Sequence, residues 1–223
     1  MANEIAPAEV AAERVTLEQV VADARRLAES GRRCILGFAG APGAGKSTAA
    51  EHVVESLGSG LAALVPMDGF HLANDVLATL GRRARKGAPD TFDAAGYAAL
   101  LQRIRSQSTP GDDAVVYAPR FDRGLDESIG SALAVLPEVP LIVTEGNYLL
   151  LESGAWPAAR AFIDEVWFIE APEIVRRERL IRRHESFGTS AEDARSWALG
   201  PDEQNATLVA ASAPRADRRL IIV

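Results

Sequence analysis

The sequence predicts an α/β fold: a mainly parallel sheet of about five strands, with helices on both faces and a small helical lid. Three observations carry this. From residue 33 onward, short apolar runs alternate with helical segments, as strands joined by crossover helices do. Several runs, Leu141-Ile-Val and Val166-Trp-Phe-Ile among them, are apolar throughout, which marks strands buried on both faces. The first run, at 34–39, leads through a glycine-rich turn into an alanine-rich helical segment, the order a phosphate-binding loop requires.

Residues 1–30, rich in Ala and Glu, read as one amphipathic helix, with Thr16 and Gln19 at capping-box spacing before Val20, Val21, Ala24 and Leu27. Strand 34–39, helix 46–57, strand 61–67, helix 94–106 and strands 113–118 and 139–145 follow. Helix 155–162, strand 165–170, helices 172–184 and 190–198 and strand 219–223 complete the series. Two interruptions stand out: 81–92, basic and broken by Gly and Pro, and a loop at 184–190. The 223 residues suffice for one substantial core, so a helix at 1–30 followed by a single domain at 31–223 is expected.

Composition narrows the function. With 24 Lys and Arg against 31 Asp and Glu, the net charge of −7 argues against broad adsorption to nucleic acid or an anionic membrane. The partner expected is a small molecule. The single cysteine, Cys34, sits in an apolar run as a small buried hydrophobe. No run reaches 18 apolar residues and the first residues lack a signal pattern, so a cytoplasmic location is expected.

The residues from Gly40 to Ser47 satisfy G-x-x-x-x-G-K-[ST]. Gly43 and Gly45 let the backbone amides converge on a phosphate, and the helix starting near Lys46 adds its positive field. Lys46 would meet the β- and γ-phosphates, Ser47 would ligate Mg²⁺, and Thr48 would support the α-phosphate. The nucleotide-binding set is therefore Gly40, Gly43, Ala44, Gly45, Lys46, Ser47 and Thr48, for ATP with Mg²⁺.

Two acidic residues stand at strand ends, where an open parallel sheet collects ligands. Asp68 opens Gly69-Phe-His after one strand, and Glu145 closes another. A carboxylate beside the γ-phosphate can take the proton of a substrate hydroxyl, and a second can hold Mg²⁺. Asp68 is assigned as the base and Glu145 to the metal; the bland alternative is that both only cap strand ends. His71 touches substrate or packs at the turn.

Arg176, Arg177, Arg179, Arg182 and Arg183 cluster on one predicted helix. Four of them share an arc that can face a triphosphate, or they are solvated partners of Glu173 and Glu178. The loop after them, with Gly188, reads as a hinge that excludes water on closure. Arg82, Arg83, Arg85 and Lys86 form a second basic run, which attracts an anionic acceptor or is simply solvated. Tyr117 and Phe121 stack on a ring or only pack.

With Asp68-Gly-Phe-His, Arg85-Lys-Gly-Ala-Pro-Asp-Thr-Phe-Asp93, Tyr117-Ala-Pro-Arg-Phe-Asp-Arg123, Glu145-Gly-Asn-Tyr-Leu-Leu and Asn205-Ala-Thr-Leu-Val, the chain resembles the P-loop small-molecule kinases. These include uridine kinase, phosphoribulokinase and type I pantothenate kinase, and the likeness runs from about 33 to 223. It looks closest to a bacterial branch often labelled nucleoside/nucleotide kinase or fructose-transport-system kinase. The resemblance implies a P-loop NTP hydrolase fold and transfer of the ATP γ-phosphate to an alcohol. It also implies Lys86, Tyr117, Arg123 and Asn205 around the acceptor, Arg179 and Arg183 in a lid at about 176–195, and an acceptor-site insert at 81–92. A homodimer is compatible with it. Two other functions compete: a GTP-dependent switch or metallochaperone, disfavoured because no Asn-Lys-x-Asp segment or Cys-rich site is present, and a nucleotide-binding regulator without catalysis.

Overall fold

The computed structural model of the chain describes residues 11–107 and 115–223. Its frame is a six-stranded sheet in the order β1-β8-β7-β2-β6-β3, in which every pairing is parallel. The strands are β1 (Ala12–Val15), β2 (Cys34–Ala39), β3 (Ala62–Leu64), β6 (Leu141–Gly146), β7 (Glu165–Glu170) and β8 (Arg218–Ile222).

The apolar runs form the centre because both their faces are covered. Along β2, Ile35 and Ala39 enter one core while Cys34, Leu36 and Phe38 enter the other, the period-two alternation of a strand. Helices α1 (Leu17–Ala28) and α2 (Lys46–Leu57) cover the second core, through Val20, Ala24, Ala49, Ala50 and Val53. Helices α4 (Ala94–Arg105) and α5 (Trp156–Arg160) cover the first, through Tyr97, Leu101, Ile104, Trp156 and Ala159. Cys34 is buried, as a small hydrophobe.

The remaining elements complete the chain. They are α3 (Asn74–Thr79), a hairpin of β4 (Val116–Asp122) and β5 (Glu127–Val135), and helices α6 (Glu173–Ser186), α7 (Ala191–Leu199) and α8 (Pro201–Ala210). Among the described residues, no helix is long and apolar enough to cross a membrane.

Several boundaries differ from expectation. The segment read as one helix at 1–30 holds a strand at Ala12–Val15, and the helix with its Thr16/Gln19 capping box spans Leu17–Ala28; residues 1–10 of that expectation lie outside the described residues. β1 is recognisable only beside β8, its pairing partner, and it raises the strand count from five to six. The strand expected at 61–67 ends at Leu64 because Pro66 lacks an N–H and leads into a 3₁₀ turn at Met67–Phe70. The strand expected at 113–118 belongs to the separate antiparallel hairpin and runs to Asp122; its residues 113 and 114 are outside the described set. Its partner β5 is mostly exposed and so carries no apolar alternation to read. Helix α8 begins with a proline at its first turn, a position proline tolerates.

Candidate active site

The phosphate loop lies between Ala39, the last residue of β2, and Lys46, the first of α2. Its turn depends on Gly43, where φ is +79° and a Cβ would stand 2.6 Å from the carbonyl oxygen of Arg176. Only glycine accepts both the left-handed backbone and so close an approach of α6. Lys46 is 8% exposed; burial lowers its pKa, while Glu145 and Asp68 oppose that shift. Ser47 Oγ donates to Glu145 Oε2 at 3.0 Å. The register of β2 and β6 explains this meeting, since Phe38 pairs with Glu145 and the loop starts two residues later.

Glu145 is 4% exposed, and burial raises its pKa against the pull of Lys46. A carboxylate so placed is satisfied by a neighbouring cation, and the hydroxyl beside it adds a second oxygen, the hard donor chemistry Mg²⁺ takes. Asp68 occupies the 3₁₀ turn after β3. Burial works against its charge, but His71, Lys46, Arg123 and Arg183 outweigh burial and lower its pKa. Arg123 Nη2 donates to Asp68 Oδ2 at 3.3 Å.

His71 packs between Phe92 and Phe121, with ring centroids at 4.0 and 4.5 Å, and its Nδ1 lies 2.8 Å from the Asp68 carbonyl oxygen, to which it donates. It packs at the turn and also lines the cavity beside Asp68. Lys86 also lines that cavity, but its ammonium is held by Asn74 Oδ1 at 2.8 Å, the Asp126 carbonyl at 2.5 Å and Asp126 Oδ2 at 3.2 Å. Two hydrogen bonds and an ion pair hold the ammonium, and they tie the 81–92 segment to the hairpin turn. Asn205 lies on the cavity wall, with Nδ2 at 3.5 Å from the Gly87 carbonyl. Tyr117 is 55% exposed and is not brought to the cavity, because alternate residues of β4 face out while Val116 and Ala118 face in.

The arginines of α6 divide by their partners. Arg176 is buried against Glu203 at 2.5 Å and the Pro42 carbonyl at 3.3 Å, fastening the phosphate loop to α8. Arg177 joins Glu173 and Glu203, and Arg182 is exposed beside Glu178. Arg179 donates to the Ala44 carbonyl at 3.3 Å. The Arg183 guanidinium makes no hydrogen bond or ion pair among the described residues, and burial together with Arg123 lowers its pKa, the signature of a guanidinium short of an anion. Asn147 joins the cavity wall with Oδ1 buried and unpaired; its position two residues beyond Glu145 is the signal that points to it.

Two cavities meet here. One, of about 450 Å³, is lined by Gly43, Gly45, Lys46, Ser47, Thr48 and Arg179 among others. The other, of about 320 Å³, holds Asp68, His71, Phe121, Asn147 and Asn205. Lys46, Ser47, Arg123 and Arg183 line both.

No protein-family model matches the chain. It is 36% identical over 126 residues to the ATP-dependent kinase-like protein notR' of Aspergillus versicolor, covering 55% of this chain and 73% of that one. It is 32% identical over 168 residues to "Putative uridine kinase C227.14" of Schizosaccharomyces pombe, covering 72% and 70%. The solved structure of a "putative fructose transport system kinase" from Silicibacter sp. TM1040 superposes with a TM-score of 0.79 at 34% identity, covering 92% of this chain and 98% of that one. Likeness of this extent in sequence, together with a shared fold around the phosphate loop, means that the chain belongs to the P-loop small-molecule kinases, which include uridine kinase and pantothenate kinase.

Proposed function

We propose that the protein transfers the γ-phosphate of ATP to a hydroxyl of a small metabolite such as a nucleoside, a sugar or a pantothenate-like acceptor. The observation that carries this reading is the junction of the two cavities at Lys46, Ser47, Arg123 and Arg183. A nucleotide seated on the loop would present its terminal phosphate there, and an acceptor in the second cavity would lie against Asp68.

Lys46 and the loop amides hold the phosphates, with Gly40, Gly43, Ala44, Gly45 and Thr48 shaping the cradle. Ser47 and Glu145 are the residues that would hold Mg²⁺, whose chemistry is to neutralise charge on the phosphate oxygens. Asp68 accepts the proton as the acceptor oxygen bonds the γ-phosphorus and the β,γ-bridging oxygen leaves with ADP. Arg179 and Arg183 stabilise charge on the transferred group, and His71, Arg123 and Asn205 border the acceptor. Residues 31–223 act as one kinase domain, with 81–92 as the acceptor-side insert and 176–195 as a lid hinged near Gly188, where φ is +86°. Catalysis of this kind rests on positioning and charge.

The test is an ADP-release screen across nucleosides, sugars, sugar phosphates and pantothenate, with product mass spectrometry and calorimetry of ATP binding. Phosphorylated product, and ATP binding that weakens sharply in Lys46→Ala, are expected. Unchanged binding in that variant, or a strong preference for GTP, would refute the assignment.

A further inference from the structure

The basic run at 82–86 and the hairpin turn bring several cations to the acceptor side, and their partners sort them. Arg82 and Arg85 are both engaged by Asp90, and Lys86 is held by Asn74 and Asp126. Arg83 and Arg123 are different. Arg83 reaches Asp126 Oδ2 through Nη2 alone, at 2.8 Å, and Arg123 reaches Asp68 Oδ2 through Nη2 alone, at 3.3 Å. The rest of each guanidinium has no partner among the described residues. Both side chains are about half exposed, at 49% and 43%, and both line the cavity of about 320 Å³.

That cavity is cationic inside an anionic chain. Five Lys and Arg side chains line it against three Asp, whereas the whole chain carries −7. Of the three carboxylates, Asp126 is answered by Arg83 and Lys86, and Asp202 lies 2.8 Å from His184 Nε2. The surplus of N–H donors therefore lacks an acceptor among the described residues. The nucleotide does not account for all of it, because Arg83 lines only the acceptor cavity, whereas Arg123 and Arg183 line both.

Resting on the kinase reading above, we infer that the acceptor is itself an anion: a small hydroxylated compound whose carboxylate or phosphate ester, distant from the reacting hydroxyl, is gripped by Arg83 and Arg123. A guanidinium presents paired donors that match either oxyanion, and a charge-assisted hydrogen bond in a half-enclosed site is worth enough to select for it. The site also disfavours a neutral polyol, which would leave these donors unanswered.

Three-, four- and five-carbon polyols, each offered as the neutral polyol, its aldonic acid and its phosphate monoester, make the test, together with pantothenate and its neutral alcohol. Steady-state turnover should favour the anionic members by about 10- to 100-fold in kcat/KM; comparing acid with ester tells which oxyanion is read. Arg83→Gln should raise KM for the anionic acceptor by about tenfold or more while kcat changes far less, Arg83→Lys should recover part of the loss, and Arg85→Gln should behave as wild type. Equal kcat/KM for neutral and anionic partners, an Arg83→Gln penalty that is the same for both, or failure of every anionic member would overturn the inference. ATP binding that is intact in the same preparations and lost in Lys46→Ala leaves the kinase reading standing in each of those cases.

Discussion

Asp68 keeps its charge through its neighbours. His71, Lys46, Arg123 and Arg183 together outweigh burial and hold the carboxylate below its ordinary value. If this group takes the substrate proton, Asp68→Asn should lower kcat by roughly 10²- to 10⁴-fold with little change in ATP affinity, measured by turnover and calorimetry side by side. The acid limb of kcat/KM, which reports the free enzyme, should fall below the ordinary carboxylate range. Removing the charge in Arg123→Ala raises the Asp68 pKa, so the limb should move to higher pH. An unmoved limb would assign that titration to another group.

The hairpin of β4 and β5 makes one very close approach to the Asp68 turn. Gly69, beside Asp68, faces the Pro119 carbonyl so closely that a Cβ would overlap it. Gly69→Ala should therefore push the hairpin off the turn, costing about 1–3 kcal/mol of stability, as overpacking does, and lowering kcat through displacement of Arg123. Thermal unfolding and turnover together check this. Helix α6 makes a different contribution, since the Arg183 guanidinium has no partner among the described residues to lose. Arg183→Ala should reduce kcat by roughly 10²-fold, more than it weakens ATP binding, as loss of a charge-stabilising donor does, and Arg183→Lys should restore only part. Wild-type turnover in both variants, with lowered thermal stability, would make Arg183 structural.

Asp164, just before β7, ties α4 and Arg32 to the start of β2. Its Oδ2 accepts from Ile35 N at 2.8 Å, and Arg105 grips it through Nη1 and Nη2 at 2.8 and 2.9 Å, with Arg32 at 2.7 Å. Burial would raise its pKa, but these donors outweigh burial and lower it. A carboxyl with a depressed folded pKa contributes stability above its unfolded pKa and loses that contribution as pH falls through the folded value. Asp164→Asn should therefore destabilise by about 1–3 kcal/mol at neutral pH. The difference from wild type should narrow as pH falls below the ordinary carboxylate range and through the depressed folded value. Urea unfolding at several pH values measures it; a gap independent of pH would mean that packing rather than charge is responsible.

The central strands, the phosphate loop and the flanking helices α1, α2, α4 and α6 were legible in the chain because their chemistry is local. A strand buried on both faces must be an apolar run, and a loop that cradles phosphate must carry glycines and a lysine at fixed spacing. Asp68 and Glu145 were found by the same reasoning, since the carboxyl ends of parallel strands face the ligand. Elements that lean on distant partners were not legible: β1 exists through β8, and β5 through β4. Partnership also decided the roles of the cations. Sequence places Arg83 and Lys86 in one basic run and Arg176 and Arg183 in another, and the resemblance adds Arg123 on the acceptor side, but only the folded chain engages Lys86, buries Arg176 against Glu203 and leaves Arg83, Arg123 and Arg183 with donors that have no partner among the described residues. The physical reason is that a charge is written in the residue, whereas its availability depends on which acceptors the fold sets beside it.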